Sequence, residues 1–206
     1  MANFKTMIRT LMFVFVVLFC ATTFYYYTEQ GNARAEANIP KLPDFEHTNN
    51  QQFIDNVVQC VEYIEHNTTD VYPVNLELLI AQAALESGWG NSRFARVGKN
   101  LFGIRTYDLQ EPHMLPSNNP KKWGVKVYSH ECDSVLNYMK VLNNGGAYKK
   151  YRELMNDGVD DPYILVETLD AYASDKYYFS KIKSILTKIR SEYAIKWYKK
   201  EVQENR

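Results

Sequence analysis

Leu78–Ile104, LLIAQAALESGWGNSRFARVGKNLFGI, is the stretch whose reading decides the fold. Leu78, Leu79, Ile80, Ala81, Ala83, Ala84 and Leu85 leave no polar stripe on a helix, so a buried helix is expected. Gln82 and Glu86 interrupt it, four apart and therefore on one face. An unpaired charge in such a helix is costly. Gly88 is a natural helix stop, which puts Glu86 in the last turn, at the negative end of the helix dipole. That position and an apolar surround both raise a carboxyl pKa. A carboxyl protonated near neutrality is what a general acid needs. The same Glu86 could equally be half of a buried salt bridge with Arg93 or Arg105, and the residues alone leave both readings open.

Working outward, Asn75 is placed to cap this helix, with Glu77 in its first turn. A short helix is expected over Ser92–Val97, and Asn100–Ile104 leads into an extended region. Between Arg105 and Ser129 the pattern is broken by Pro112, Pro116, Asn118-Asn119-Pro120 and Gly124. Val125-Lys126-Val127-Tyr128 alternates like a strand, so a small β-lobe of one hairpin is expected, with Asp108 and Glu111 as its carboxylates. Helices follow at Glu131–Leu142, Ala147–Met155 and Tyr163–Tyr172, and from Asp175 onward with Ser174 as cap. Upstream, Phe53–Ile64 reads as an amphipathic helix, and residues 38–50, with Pro40 and Pro43, as a linker. The fold class is thus α+β and mainly helical, with a β-hairpin lobe beside the Glu86 helix.

Residues 1–37 read as a signal peptide or an N-terminal anchor. Lys5 and Arg9 precede the apolar run Leu11–Ala21, which Phe24–Tyr27 extends, and Ala33-Arg34-Ala35 and Ala35-Glu36-Ala37 offer small-residue cleavage sites. The apolar segment is near the lower limit for a membrane span, roughly 17 residues. Residues 51–206 then form an extracytoplasmic domain. The 24 basic residues balance the 24 acidic ones, so no basic patch argues for nucleic acid. A monomer is expected. Loss of Lys5, Arg9, Arg34, Glu29 and Glu36 with the leader would leave 21 basic and 22 acidic residues, still near neutral. Cys60 and Cys132 fall on apolar helix faces and fit either two buried thiols or a disulfide. The sixteen tyrosines suit sugar faces, but most are expected to fill the core.

Ala81–Gly90 (AQAALESGWG) followed by Asn100-Leu101-Phe102-Gly103-Ile104 resembles the bacterial β-N-acetylglucosaminidase family of the lysozyme superfamily, which holds the FlgJ-type and Bax-type proteins. Val125–Ser129 and Ala171–Asp175 with Tyr178 add to the resemblance, which runs from about Phe53 to Ile189 and is closest to the Bax type through Ser92-Arg93-Phe94-Ala95. It implies a lysozyme-like fold and hydrolysis of the β-1,4 bond between N-acetylglucosamine and N-acetylmuramic acid in peptidoglycan, with no cofactor. Glu86 matches the family's catalytic acid, and a second carboxylate is expected in the β-lobe, at Glu111 or else Asp108. Tyr172 and Tyr178 match family tyrosines near the cleft, with core packing as the competing role. Trp89, Tyr107 and Trp123 are candidates for stacking on sugar rings, with packing beneath the turn that sets Glu86 as the competing role of Trp89, and Gln82, Asn100 and Phe102 complete the expected substrate-contact set.

His130-Glu131-Cys132-Asp133 has metal-ligand residue types without metal-site spacing, and at a helix start acidic residues are expected anyway, so no metal is expected. A Cys132–His dyad with His113 or His130 lacks any surrounding motif. Two rivals remain within reach of these residues: a lytic transglycosylase, and a glycan-binding module in which Glu86 only orders the groove.

Overall fold

The computed structural model describes residues 2–37, 39–117, 122–172 and 174–193. The expected breaker Asn118-Asn119-Pro120 lies outside them. The chain divides into two units, Met1–Pro40 and Lys41–Arg206. The first is one helix, α1 (Ala2–Ala37), whose segment Met7–Gln30 is long and apolar enough to cross a membrane, with Leu11, Phe13 and Phe15 exposed.

The second unit is helical with a small sheet. Helix α2 (Asn50–Asn67) is capped by Asn49, whose side chain accepts from Gln52 N. Helix α3 (Leu76–Ser87) is capped by Asn75 and stops at Gly88, which sits in the left-handed region at φ 59°, as the apolar run and its punctuation predict. Leu78 to Ala84 are buried without a break. Helix α4 (Arg93–Gly98) and strands β1 (Arg105–Thr106), β2 (His113–Met114) and β3 (Gly124–Lys126) follow. Then come α5 (Glu131–Asn144), a 3-10 turn, α6 (Lys149–Asn156), α7 (Pro162–Leu165), a second 3-10 turn (Val166–Thr168) and α8 (Tyr178–Glu192). Packing is chiefly α3 against α8 and α2 against α5.

Three expectations need correction. The β-lobe is not one hairpin but a three-stranded antiparallel sheet, order β1-β3-β2, pairing Arg105 with Val125 and His113 with Lys126. Strands of two or three residues carry too little alternation to be read from a pattern. The helix expected over Tyr163–Tyr172 ends at Leu165 and tightens into the 3-10 turn, while Tyr172 is held by its hydroxyl on Phe102 O at 2.8 Å. The last helix starts at Tyr178, not Asp175, because the Asp175 carboxylate accepts from Tyr177 N and closes a turn of its own.

Most of the stretch read as a linker, from Pro43 onward, lies against the helical lobe. Pro43 and Phe45 are buried, and Glu46 O accepts from Asn56 Nδ2. Cys60 and Cys132 form a disulfide joining α2 to α5 across 72 residues of sequence. His130 caps α5, its Nδ1 accepting from Cys132 N while Nε2 donates to Pro43 O, so neither nitrogen nor sulfur there is free for a metal or a dyad. Closing so long a loop restricts the unfolded chain. Replacing both cysteines by alanine is expected to lower unfolding stability by about 2–5 kcal/mol, measured by denaturant titration of the oxidised wild type against the variant.

Candidate active site

Glu86 occupies the last turn of α3 and is half-buried, with the carboxyl near the return loop Asn100–Ile104. Gly103 faces it at φ 64°, a backbone region that favours glycine, and a Cβ there would lie 4.0 Å from Glu86 Oε2, at contact distance. Asn100 holds this loop in shape. Its Nδ2 donates to Ile104 O and Lys126 O, and its Oδ1 accepts from Phe102 N and Ile104 N.

Neither arginine that could have neutralised Glu86 does so. Arg93 Nη2 donates to Leu115 O at 2.6 Å, and the Arg105 guanidinium stacks 4.0 Å above the Trp123 ring. Burial pushes the Glu86 carboxyl above its ordinary range, offset in part by a hydrogen bond from the Tyr178 hydroxyl, which favours the anion.

Behind Glu86 lies an ordered chain of donors. The Tyr138 hydroxyl donates to Gln82 Oε1, and Gln82 Nε2 donates to Tyr178 Oη at 2.7 Å. Having accepted from Gln82, the Tyr178 hydroxyl still has its own hydrogen to offer, and the Glu86 carboxyl is the neighbour whose anion that hydrogen favours. Gln82 is 0% exposed and Tyr138 likewise, so this relay is sealed from solvent. Burial raises both Tyr138 and Tyr178 far above the ordinary phenol range, which keeps them neutral donors. The rings pack as a stack: Phe102 on Tyr138 at 4.1 Å, Tyr172 edge-on to Tyr138, and Tyr172 on Tyr178 at 5.9 Å.

This geometry sorts the expected contact set. Gln82, Asn100 and Phe102 are buried with their polar atoms engaged, so they are corrected from substrate contacts to supports of the Glu86 carboxyl and its facing loop. Tyr178 is buried but reaches Glu86, and Tyr172 spends its hydroxyl on Phe102 O. Trp89 packs between Phe53 and Tyr193 at the turn after Glu86, the second of the two roles expected for it. Tyr107 is 71% exposed and Trp123 is half-buried under Arg105, so these two keep faces or edges at the β-lobe surface.

Across the lobe, Glu111 accepts from Thr106 Oγ1 at 2.8 Å, and Lys126 Nζ lies 3.2 Å from its Oε2. The Thr106 bond first, then Lys126, hold its carboxyl below the usual range, so it is ionised. Asp108 is exposed and uses Oδ1 to accept from Gln110 N in the loop between β1 and β2. Glu86 is thus biased toward holding a proton and Glu111 toward losing one. Tyr138 was missed in sequence because it sits at an ordinary inward position of an amphipathic helix. Gly103 stands inside the Asn-Leu-Phe-Gly motif and could have been flagged by it.

Residues 65–191, more than half of the chain, match the family model described as mannosyl-glycoprotein endo-beta-N-acetylglucosaminidase. The chain is 28% identical over 127 residues to the exo-glucosaminidase LytG of Bacillus subtilis, covering 57% of this chain and 45% of that protein. It is 32% identical over 135 residues to the peptidoglycan hydrolase FlgJ of Vibrio parahaemolyticus, covering 57% and 42%. The chain thus spans less than half the length of these curated relatives. Among solved structures it is similar to the catalytic domain of the autolysin Auto from Listeria monocytogenes, with TM-score 0.52 and 25% identity over 79% of this chain and 94% of that one.

Two outcomes follow from the electrostatics. Tyr178→Phe removes the donor that favours the Glu86 anion, so the Glu86 titration is expected to move to still higher pH, read by carbon-13 NMR of the carboxyl. The buried Gln82 amide left unpaired is expected to cost about 1–3 kcal/mol. A folded pKa above the unfolded one also means that the folded state loses stability as pH rises from 4.5 through the Glu86 value. Glu86→Gln removes that loss, so its melting temperature at pH 7 is expected to equal or exceed that of the wild type.

Proposed function

The chain belongs to the mannosyl-glycoprotein endo-beta-N-acetylglucosaminidase family, and from that membership we propose that it hydrolyses the glycan strand of peptidoglycan as an endo-β-N-acetylglucosaminidase, with Glu86 as general acid. The observation that carries this reading is the half-buried Glu86 carboxyl, raised in pKa, unpaired with any cation among the described residues and supplied with a single neutral donor. A group in that state can give its proton to the glycosidic oxygen as the C1–O bond lengthens.

Positive charge then grows at C1 and needs a partner. We assign Glu111 to that role in preference to Asp108, because Thr106 and Lys126 keep Glu111 ionised on the β-lobe. It serves either as base for an attacking water or as a fixed negative charge while the substrate's own acetamido oxygen attacks. Tyr107 and Trp123 supply the exposed aromatic surface for sugar rings. The protein would work outside the cytoplasm, with α1 as export signal or anchor and the hydrolase domain beyond.

Peptidoglycan digested by wild type and by Glu86→Gln, then analysed by mass spectrometry, tests this. New reducing N-acetylglucosamine ends that disappear in the variant, with kcat down at least about 100-fold, are expected. Fragments of mixed length should appear early in the reaction; release of terminal units alone would make the enzyme exo-acting. Anhydro ends would make it a transglycosylase, and bound but uncut glycan would make it a binding module.

The rate should also follow a bell in pH. Activity falls on the alkaline side as Glu86 loses its proton, above 4.5 because its pKa is raised, and on the acid side below 4.5 as Glu111 gains one. Glu111→Gln is expected to abolish the acid limb while leaving the alkaline one.

A further inference from the structure

Immediately after Glu86 the backbone does something costly. Gly88, Trp89 and Gly90 all adopt positive φ, at 59°, 57° and 76°. Two are glycines, but Trp89 carries a Cβ that the left-handed region disfavours. The turn reverses the chain out of α3, so that residues 91–104 can bring Gly103 back opposite the Glu86 carboxyl. A strained turn persists only where its surroundings over-determine it.

The surroundings here come from the far N-terminal side. Trp89 N donates to Ala84 O at 2.8 Å, and Trp89 O faces His47 Nε2 at 3.0 Å. A carbonyl can only accept, so Nε2 carries the hydrogen and donates it, whatever the charge of the ring. The His47 ring is fixed in turn by Phe45 and by Phe53, whose centroid lies 5.4 Å away, and Phe53 meets Trp89 at 5.9 Å. Contact with the turn is close: a Cβ at position 90 would stand 2.5 Å from His47 Cε1 and 3.0 Å from Phe53 Cδ2. The strap carrying His47 is itself fastened at Pro43 O by His130 and at Glu46 O by Asn56. His47 and Phe53 both precede residue 65, where the match to the family begins.

We propose that His47 is a positioning residue for Glu86: its Nε2–H, gripping the Trp89 carbonyl, holds the left-handed turn that sets the carboxyl against Gly103. The segment 43–53 is then part of the catalytic machinery of this chain although it touches no substrate. The assignment rests on Glu86 being the general acid. Small losses of alignment are enough to matter, since a misplacement near 1 Å can cost about 100-fold in rate.

The test uses the full chain with His47→Phe, which keeps an aromatic ring without the donor, and His47→Gln, whose amide can restore it. In His47→Phe, kcat on peptidoglycan is expected to fall about tenfold with KM little changed. The Glu86 carboxyl, followed by carbon-13 NMR, is expected to titrate closer to 4.5 as the loosened turn admits water. His47→Gln is expected to regain most of both, with melting temperatures similar among the three proteins. A His47→Phe protein with wild-type kcat and an unmoved Glu86 titration overturns the proposal. So does a His47→Gln protein no better than His47→Phe, with both losing activity in step with melting temperature. If the wild type cuts no glycan, the activity assigned above fails, yet the titration still decides: a midpoint unmoved by His47→Phe counts against His47, and one moved and restored by His47→Gln supports it.

Discussion

The hydrogen-bond relay from Tyr138 through Gln82 and Tyr178 to Glu86 is the constraint around which the helical lobe is arranged. A glutamine in the middle of a fully apolar helix is tolerable only if both ends of its amide are paired. Tyr138 on α5 pairs one end and Tyr178 on α8 the other, so α3, α5 and α8 must come together in one register. The same pairing leaves the Tyr178 hydroxyl its own hydrogen, which favours the Glu86 anion beside it. Structural satisfaction of Gln82 and electrostatic tuning of Glu86 are thus a single arrangement.

The opposite side of Glu86 follows a different logic. There the backbone, not a side chain, approaches the carboxyl, and Asn100 maintains that approach by tying four backbone groups of the return loop and β3. Glu86 is left with packing on one flank, a glycine on the other and, among the described residues, no cation, and its burial biases it toward the protonated form. Glu111 is its reverse, an exposed carboxylate wrapped by a hydroxyl and an ammonium. The contrast between the two environments pushes the two carboxyl pKa values in opposite directions.

Local signals were legible where one residue type answers one need. Asn75, Gly88 and the unbroken run Leu78–Ala84 announced α3 and its ends, because caps and buried faces are short-range features. The sheet was only half legible, since β1 and β2 are two residues each and draw their pairing from β3 rather than from their own pattern. Gln82, Asn100 and Phe102 were flagged as site residues by the motif, yet the motif could not say that they stand behind the site. Burial depends on what packs over a residue, and that comes from α5, α8 and the return loop. The Cys60–Cys132 pairing was undecided for the same reason: two apolar helix faces do not state that they meet.

By itself the sequence determined that a carboxyl would sit at the end of a greasy helix, with a glycine turn after it and an Asn-Leu-Phe-Gly loop to follow. Those are properties of neighbours in the chain, carried by spacing and side-chain type. Only the tertiary structure decided that Arg93 and Arg105 are engaged away from Glu86, that the Tyr178 hydroxyl stands beside it, and that a histidine forty-two residues before Trp89 grips the turn next to it. Those contacts join segments remote in sequence, and their geometry is set by how the helices pack.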